Sequence, residues 1–304
     1  MTMTDGTTTK HPGAGSGMVW IIGTPALLVF LWSTGFVGAK WGLPYAEPFT
    51  FVAIRFALAA AILVAFALAV RAPWPKTWAE AGHTAVVGLL LHGTYLTGVF
   101  CSIAWGAPAW ITALLTGIHP LLTALLAGPY LKERVSPRQW IGFVLGFLGV
   151  ALVVWRGESL LAAPPESLLA CAVGLLALST GSLYQKRHGG STDLRTSQAI
   201  QQLAALALVT PCAFLFETRV VHWTGEFIGA LAWLTLILSI GMFTLLYALM
   251  RRGAASKIAS LFFLVPPVVA MEAYFLFGER MDLRQAAGMA LAAVGVAIVT
   301  RVRR

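Results

Sequence analysis

The chain has 304 residues, of which 58% are hydrophobic and only 11% charged, with a mean hydropathy of +0.80 and a formal net charge of +9. A water-facing chain of this size carries about a quarter charged residues, so the missing charge excludes an ordinary soluble domain and predicts an all-α membrane protein. Orientation of basic loops explains the positive balance without nucleic acid as a partner.

Residues 1–18 are polar, small and Gly-rich, with nothing to bury, and read as a disordered tail on the cytoplasmic side. Ten apolar runs follow, each long enough to cross about 30 Å of hydrocarbon. They lie at 19–39, 49–70, 84–102, 108–130, 137–155, 165–185, 197–216, 228–249, 256–277 and 284–300. The connecting segments carry turn and charge signals, such as "RAPWPK" at 71–76 and "KRHGGSTDLR" at 186–195. With the N-terminus inside, fifteen Lys and Arg residues fall on cytoplasmic segments, and five (Lys40, Arg156, Arg219, Arg280, Arg284) fall on the opposite side. Basic residues in short loops stay in the cytoplasm, so both termini are expected there.

"STGFVGAK" at 33–40 returns as "STGSLYQK" at 179–186, an offset of 146. The same offset lays residues 119–154 over 265–300 without a gap, with thirteen of 36 positions identical, among them Pro120/Pro266, Glu133/Glu279 and Gly149/Gly295. Each half (19–156 and 165–304) holds five spans, an odd number, so the second half is inverted relative to the first. That is a common architecture of secondary transporters, which bind substrate near the midplane between the halves. Helices five and ten carry small-residue ladders (Gly142, Gly146 and Gly149; Gly288, Ala292 and Gly295) expected to pair with each other or to form a dimer contact.

"LWSTGFVGAKWGLP", "FVAIRFALAA" and "HPLLTALLAGPYLKERVSPRQWIGFVLGFLGV", with the counterpart of the last in the second half, resemble the EamA branch of the drug/metabolite transporter superfamily. The resemblance covers nearly the whole chain after residue 18. It implies ten helices, cytoplasmic termini and a central cavity open alternately to either side of the inner membrane. Within that branch the chain is most similar to bacterial amino-acid exporters; other members move metabolites and organic cations, so an organic-cation efflux carrier is the alternative. One asymmetry stands out: Arg55 has Gln201 at its repeat position.

The candidate substrate-binding residues are Ser33, His92, Tyr95, Trp110, His119, Ser179, Ser182, Gln201, Tyr247 and Glu272. Charges inside spans cost about 2.5–3.5 kcal/mol at the bilayer centre, which singles out Arg55 and Glu272. Arg55, Lys40 and Lys186 are candidates for the substrate carboxylate, Lys40 and Lys186 at opposite mouths, where snorkelling is the plainer reading. Glu272 either meets the amino group, carries a coupling proton, or stays protonated as a packing residue; a backbone helix end is the other amine partner. Ser-Thr-Gly in helices one and six serves either packing and bending or the cavity wall. Gly35, Gly181, Pro120 and Pro266 are candidate hinges.

The inventory argues against an intramembrane enzyme, which stays with a passive channel as a lesser alternative; a serine-based membrane hydrolase is disfavoured by the inverted repeat and not by composition. The three aspartates lie outside the spans, and there is no HExxH, no Cys/His set at ligand spacing and no nucleotide-binding loop. No metal or cofactor is expected. The expected partners are a small-molecule substrate and lipid, with the protein a monomer or a homodimer through helices five and ten.

Overall fold

A computed structural model describes residues 23–107, 112, 115–154, 163–190, 192–277 and 282–301. The expected cytoplasmic tail, Trp110, Glu279 and Arg280 lie outside the described residues. We number the helices in chain order: α1 Thr24–Gly42, α2 Pro48–Ala69, α3 Trp78–Ala104, α4 His119–Leu131, α5 Pro137–Val154, α6 Pro165–His188, α7 Leu194–Phe216 and α8 Gly225–Arg252. Helix α9 runs through Ala255–Ser260, a 3₁₀ turn at Leu261–Leu264 and Val265–Phe277, and α10 is Leu283–Arg301. No strand occurs among the described residues, apart from one bridge between Ala46 and Val221.

Seven of these helices (α1, α2, α3, α6, α7, α8 and α10) are long and apolar enough to cross a membrane. Three of them, α3, α7 and α8, start well before their apolar runs, and threonine caps account for two. Thr77 accepts a hydrogen bond from the Glu80 amide at 3.2 Å and Thr224 one from the Phe227 amide at 3.2 Å, so α3 begins at Trp78 and α8 at Gly225 instead of 84 and 228. A side-chain cap satisfies orphan amides wherever it stands, whatever the hydropathy of the first turn. Proline at the first position starts α2 and α6.

The helix contacts come in related twos. Helix α3 packs on α6 as α8 packs on α1; α4 packs on α6 as α9 packs on α1; α2 pairs with α7 and α5 with α10. Helices α3 and α8 also each contain a π-helical stretch, Gly88–Thr94 and Trp233–Met242, which overlap at the 146-residue offset. Helices α5 and α10 touch backbone to backbone: a Cβ at Gly149 would sit 2.4 Å from the Ala292 amide nitrogen, and one at Gly295 2.5 Å from the Gly146 nitrogen. The two glycine ladders are therefore consumed within one chain and are not available as a dimer face.

Polar loop contacts collect at two ends. At one, the Glu217 carboxylate accepts from the amides of Phe49 and Thr50 (2.7 and 2.6 Å), Glu47 accepts from Thr218, and the His222 amide donates to Tyr45 O. At the other, Thr196 donates to Pro73 O, Arg187 to Tyr130 O, Lys186 to Met250 O, and Arg251 to Gly189 O and Thr192 O. There Glu133 accepts from the Ala255 amide at 3.0 Å and the Ser256 hydroxyl at 3.2 Å, capping the start of α9.

Candidate transport site

Trp32, halfway along α1, is the hub of an aromatic cluster. Its ring stacks on Tyr95 of α3 (centroids 6.1 Å apart) and meets Phe243 of α8 at 5.6 Å and Phe262 of α9 at 4.5 Å, edge-on. His92 lies 4.1 Å from Phe243 and His119 5.0 Å from Phe262, so the cluster spans from one imidazole to the other. Such ring pairs contribute about 0.5–1.5 kcal/mol each beyond simple burial, which makes this a stiff partition.

Beside it lies a small, partly open pocket. Trp32, Phe36, Tyr95, Phe100, Leu238 and Met242 line it, and Arg55 supplies its one charge. Arg55 is 1% exposed, and its Nε donates to Ser239 Oγ at 2.8 Å. Among the described residues no carboxylate lies within ion-pairing distance of it. Gly35 also lines the pocket, and a Cβ there would come 2.8 Å from Leu238 Cδ2. This glycine lets α1 approach the π-helical stretch of α8. Its repeat partner Gly181 does the same for α6 on α3, 2.8 Å from Leu91 Cδ2. Both are close-approach positions.

Next to the aromatic cluster is a buried hydrogen-bond chain whose donors run one way. The Gln202 amide donates to His92 Nδ1 at 3.3 Å, so His92 carries its hydrogen on Nε2 and gives it to Tyr247 Oη at 3.2 Å. Tyr247 donates to Gln201 Oε1 at 2.5 Å, and Gln201 Nε2 to Ser197 Oγ at 3.1 Å. His92 is thereby a neutral imidazole with both nitrogens occupied. The Oε1 atoms of Gln198 and Gln202 are buried without partners among the described residues.

Two smaller pairs flank the partition. His119 Nδ1 stands 3.0 Å from Ser179 Oγ and 3.2 Å from Thr123 Oγ1. Ser33 Oγ stands 2.6 Å from Glu272 Oε1. The repeated serines thus tie α1 to α9 and α6 to α4. Thr34 and Thr180 instead donate back to the carbonyls of Leu31 and Leu176, the bending role small hydroxyls take within helices. Ser182 is buried on α6.

The model of the EamA-like transporter family matches residues 16–155 and, a second time, 166–301. The chain belongs to the EamA-like transporter family. Across this EamA-like chain, an uncharacterised transporter, YvbV, of Bacillus subtilis is 25% identical over 90% of the chain and 89% of its own length. A probable amino-acid metabolite efflux pump of Salmonella typhimurium is 24% identical over 91% and 95%. A probable terminal-alkyne amino-acid exporter of Streptantibioticus cattleyicolor is 27% identical over 94% of each. A crystal structure shares the fold with a TM-score of 0.74, at 23% identity over 91% of this chain and 96% of that one.

Within the EamA-like fold, the residues singled out from sequence fall into neighbouring groups. Arg55, Tyr95 and Gly35 line the pocket; His92, Gln201 and Tyr247 form the buried hydrogen-bond chain; His119 pairs with Ser179, and Ser33 with Glu272. Lys40 is exposed near the end of α1, and Lys186 is bonded to the Met250 carbonyl; neither lines the pocket. Pro120 sits in the first turn of α4, an ordinary helix-start position, whereas Pro266 follows the 3₁₀ turn that breaks α9. Sequence reasoning missed Ser239, Leu238, Phe243 and Phe262. Nothing in a sequence announces a π-helical stretch, which turns Leu238 and Ser239 of one helix toward α1 and α2.

Proposed function

We propose that the protein is a secondary transporter that exports amino acids with small polar or apolar side chains across the cell's inner membrane by alternating access. Ten crossings in two inverted five-helix halves, with both termini in the cytoplasm, form its frame. The sorting of loop contacts supports that topology: the basic loops meet at one end, and the loops at 43–47 and 217–222 meet at the other.

The observation that carries the reading is Arg55, a buried guanidinium facing an otherwise apolar and aromatic pocket, with no acidic partner among the described residues. An uncompensated charge at such depth is costly. A substrate carboxylate offsets that cost through a charge-assisted, two-pronged hydrogen bond. The substrate's ammonium group rests on the ring faces of Trp32 and Tyr95, and its side chain on Phe36, Leu238 and Met242. The names of the relatives that export amino acids point the same way. An organic cation lacks a group for Arg55 and is repelled by it.

The test is counterflow in proteoliposomes loaded with single unlabelled amino acids, scored by entry of labelled threonine, methionine or phenylalanine. Saturable, trans-stimulated entry is expected. Entry equal to empty liposomes across the panel, with organic cations exchanged instead, would overturn the reading.

A further inference from the structure

The hydrogens around Ser33 do not balance unless Glu272 brings one. Ser33 Oγ lies 2.6 Å from the Phe30 carbonyl oxygen and 2.6 Å from Glu272 Oε1. A hydroxyl owns one hydrogen and two acceptor lone pairs, and both distances are full O–H···O bonds. The Phe30 carbonyl has no hydrogen to give, so Ser33 donates to it, as serines within helices do. The second contact then needs its hydrogen on the carboxyl. The other carboxyl oxygen agrees: Oε2 is buried and accepts no hydrogen bond from the described residues. A carboxylate would leave half its charge uncompensated there, whereas the carbonyl oxygen of a neutral acid tolerates it at lower cost.

The charged groups on the elements packed against this half of α9 are Lys40 on α1, Arg138 on α5, and Arg284 and Arg301 on α10. None forms an ion pair with Glu272 among the described residues, and Arg284 faces Asp282 at 3.7 Å. Lys40 stands seven residues beyond Ser33, about 10 Å along α1. Among the described residues no cation holds the carboxyl ionised in this arrangement, and Glu272 does not line the Arg55 pocket.

We propose that Glu272 is the proton site of a proton/amino-acid exchange, carrying its proton in the arrangement seen here. The proposal rests on the carrier reading above and adds its driving force. On the cytoplasmic-facing side of the cycle the carboxyl O–H bond breaks and the proton passes to cytoplasmic water. The carboxylate left behind takes the Ser33 hydrogen, and the Phe30 carbonyl gives it up. Reprotonation from the outer face restores the present arrangement. One proton enters for each amino acid that leaves. Because Ser33 belongs to α1 and Glu272 to α9, the protonation state changes the bond that joins the two halves.

The experiment has a transport arm and a spectroscopic arm. Proteoliposomes with an acidic interior and the membrane potential clamped at zero are given labelled threonine. A one-unit pH gradient supports up to about tenfold accumulation in a one-for-one exchange. Wild type is expected to accumulate label toward that limit. Glu272→Gln, which holds the neutral shape permanently, is expected to exchange threonine at symmetric pH yet accumulate no more with the gradient than without it. Independently, the infrared C=O stretch of a protonated carboxyl is expected in purified wild-type protein at neutral pH and absent from Glu272→Gln. The proposal is overturned if wild type ignores the gradient while exchanging normally, if Glu272→Gln still accumulates, if the variant loses exchange together with accumulation, or if the infrared band is missing. Absence of exchange by wild type with every amino acid sinks the substrate reading instead, and the infrared arm still decides the protonation of Glu272.

Discussion

Arg55 and Gln201 occupy equivalent places in the two halves, and the difference between them organises the interior. Arg55 reaches across to Ser239 in the π-helical stretch of α8, while Gln201 accepts from Tyr247 in the final turns of the same helix. A charge with one neutral partner remains available to an anion; an amide bonded on both its ends is already satisfied. Replacing Arg55 with Gln is expected to raise the KM for threonine in counterflow by about tenfold or more. That figure corresponds to the loss of one charged hydrogen bond, about 1.5–3 kcal/mol. The KM for a decarboxylated amine analogue, measured in the same assay, is expected to change little. Equal losses for both substrates would show that Arg55 holds structure and not the carboxylate. Which spans contain ionisable groups is legible in sequence because a charge in an apolar run is conspicuous. Which of them face the pocket is not, since that depends on helix rotation: Arg55 lines it and Glu272 does not.

At the scale of the helix, two devices recur. One is the π-helical stretch, which widens a helix and turns side chains out of ordinary register; in α8 it brings Leu238 and Met242 to the pocket and Ser239 to Arg55. The other is the small-residue seam between α5 and α10. Small residues spaced four and three apart were legible as a seam, and their partner followed from geometry: each ladder is flat enough only for another flat surface. Gly149→Ala is expected to lower the thermal midpoint of the detergent-purified protein by several degrees, because the added methyl would press on the backbone of Ala292 and Gly288 at 2.4–2.6 Å. Gly229→Ala in α8, where nothing lies within 4 Å of the added carbon, is expected to leave the midpoint unchanged or raise it slightly. A thermal-shift assay on both variants checks the contrast. The boundaries of α3 and α8 were misread by three to six residues for a local reason: threonine caps extend these helices into polar sequence that hydropathy alone assigns to loops.

Across the whole molecule, the loops at 43–47 and 217–222 clasp each other over one end of the bundle. The Thr218 hydroxyl and the amides of Thr218 and Arg219 donate to Glu47 and hold its carboxyl below the ordinary 4.5. A depressed native value means that the carboxylate stabilises the clasp above the unfolded value and that this contribution fades as pH falls through the lower, native one. Thermal midpoints measured from pH 6 down to about pH 3 are therefore expected to decline more steeply for wild type than for Glu47→Gln. Parallel curves would show that the clasp carries no stability. The site itself is also a property of the whole molecule. The pocket takes its lining from α1, α2, α3 and α8, which come from both halves, and the partition at Trp32 draws on α9 as well.

Composition by itself determined that lipid is the solvent, because a chain with so few charges has no other way to cover its surface. The 146-residue offset revealed that the second half restates the first, because identical positions record it directly. The tertiary structure alone decided which of the conspicuous residues meet. The contacts of Arg55 with Ser239, of His92 with Tyr247, and of Ser33 with Glu272 join residues more than 150 positions apart. Helix rotation and the two π-helical stretches set those contacts, and both arise from how neighbouring helices pack, which no local pattern of residues encodes.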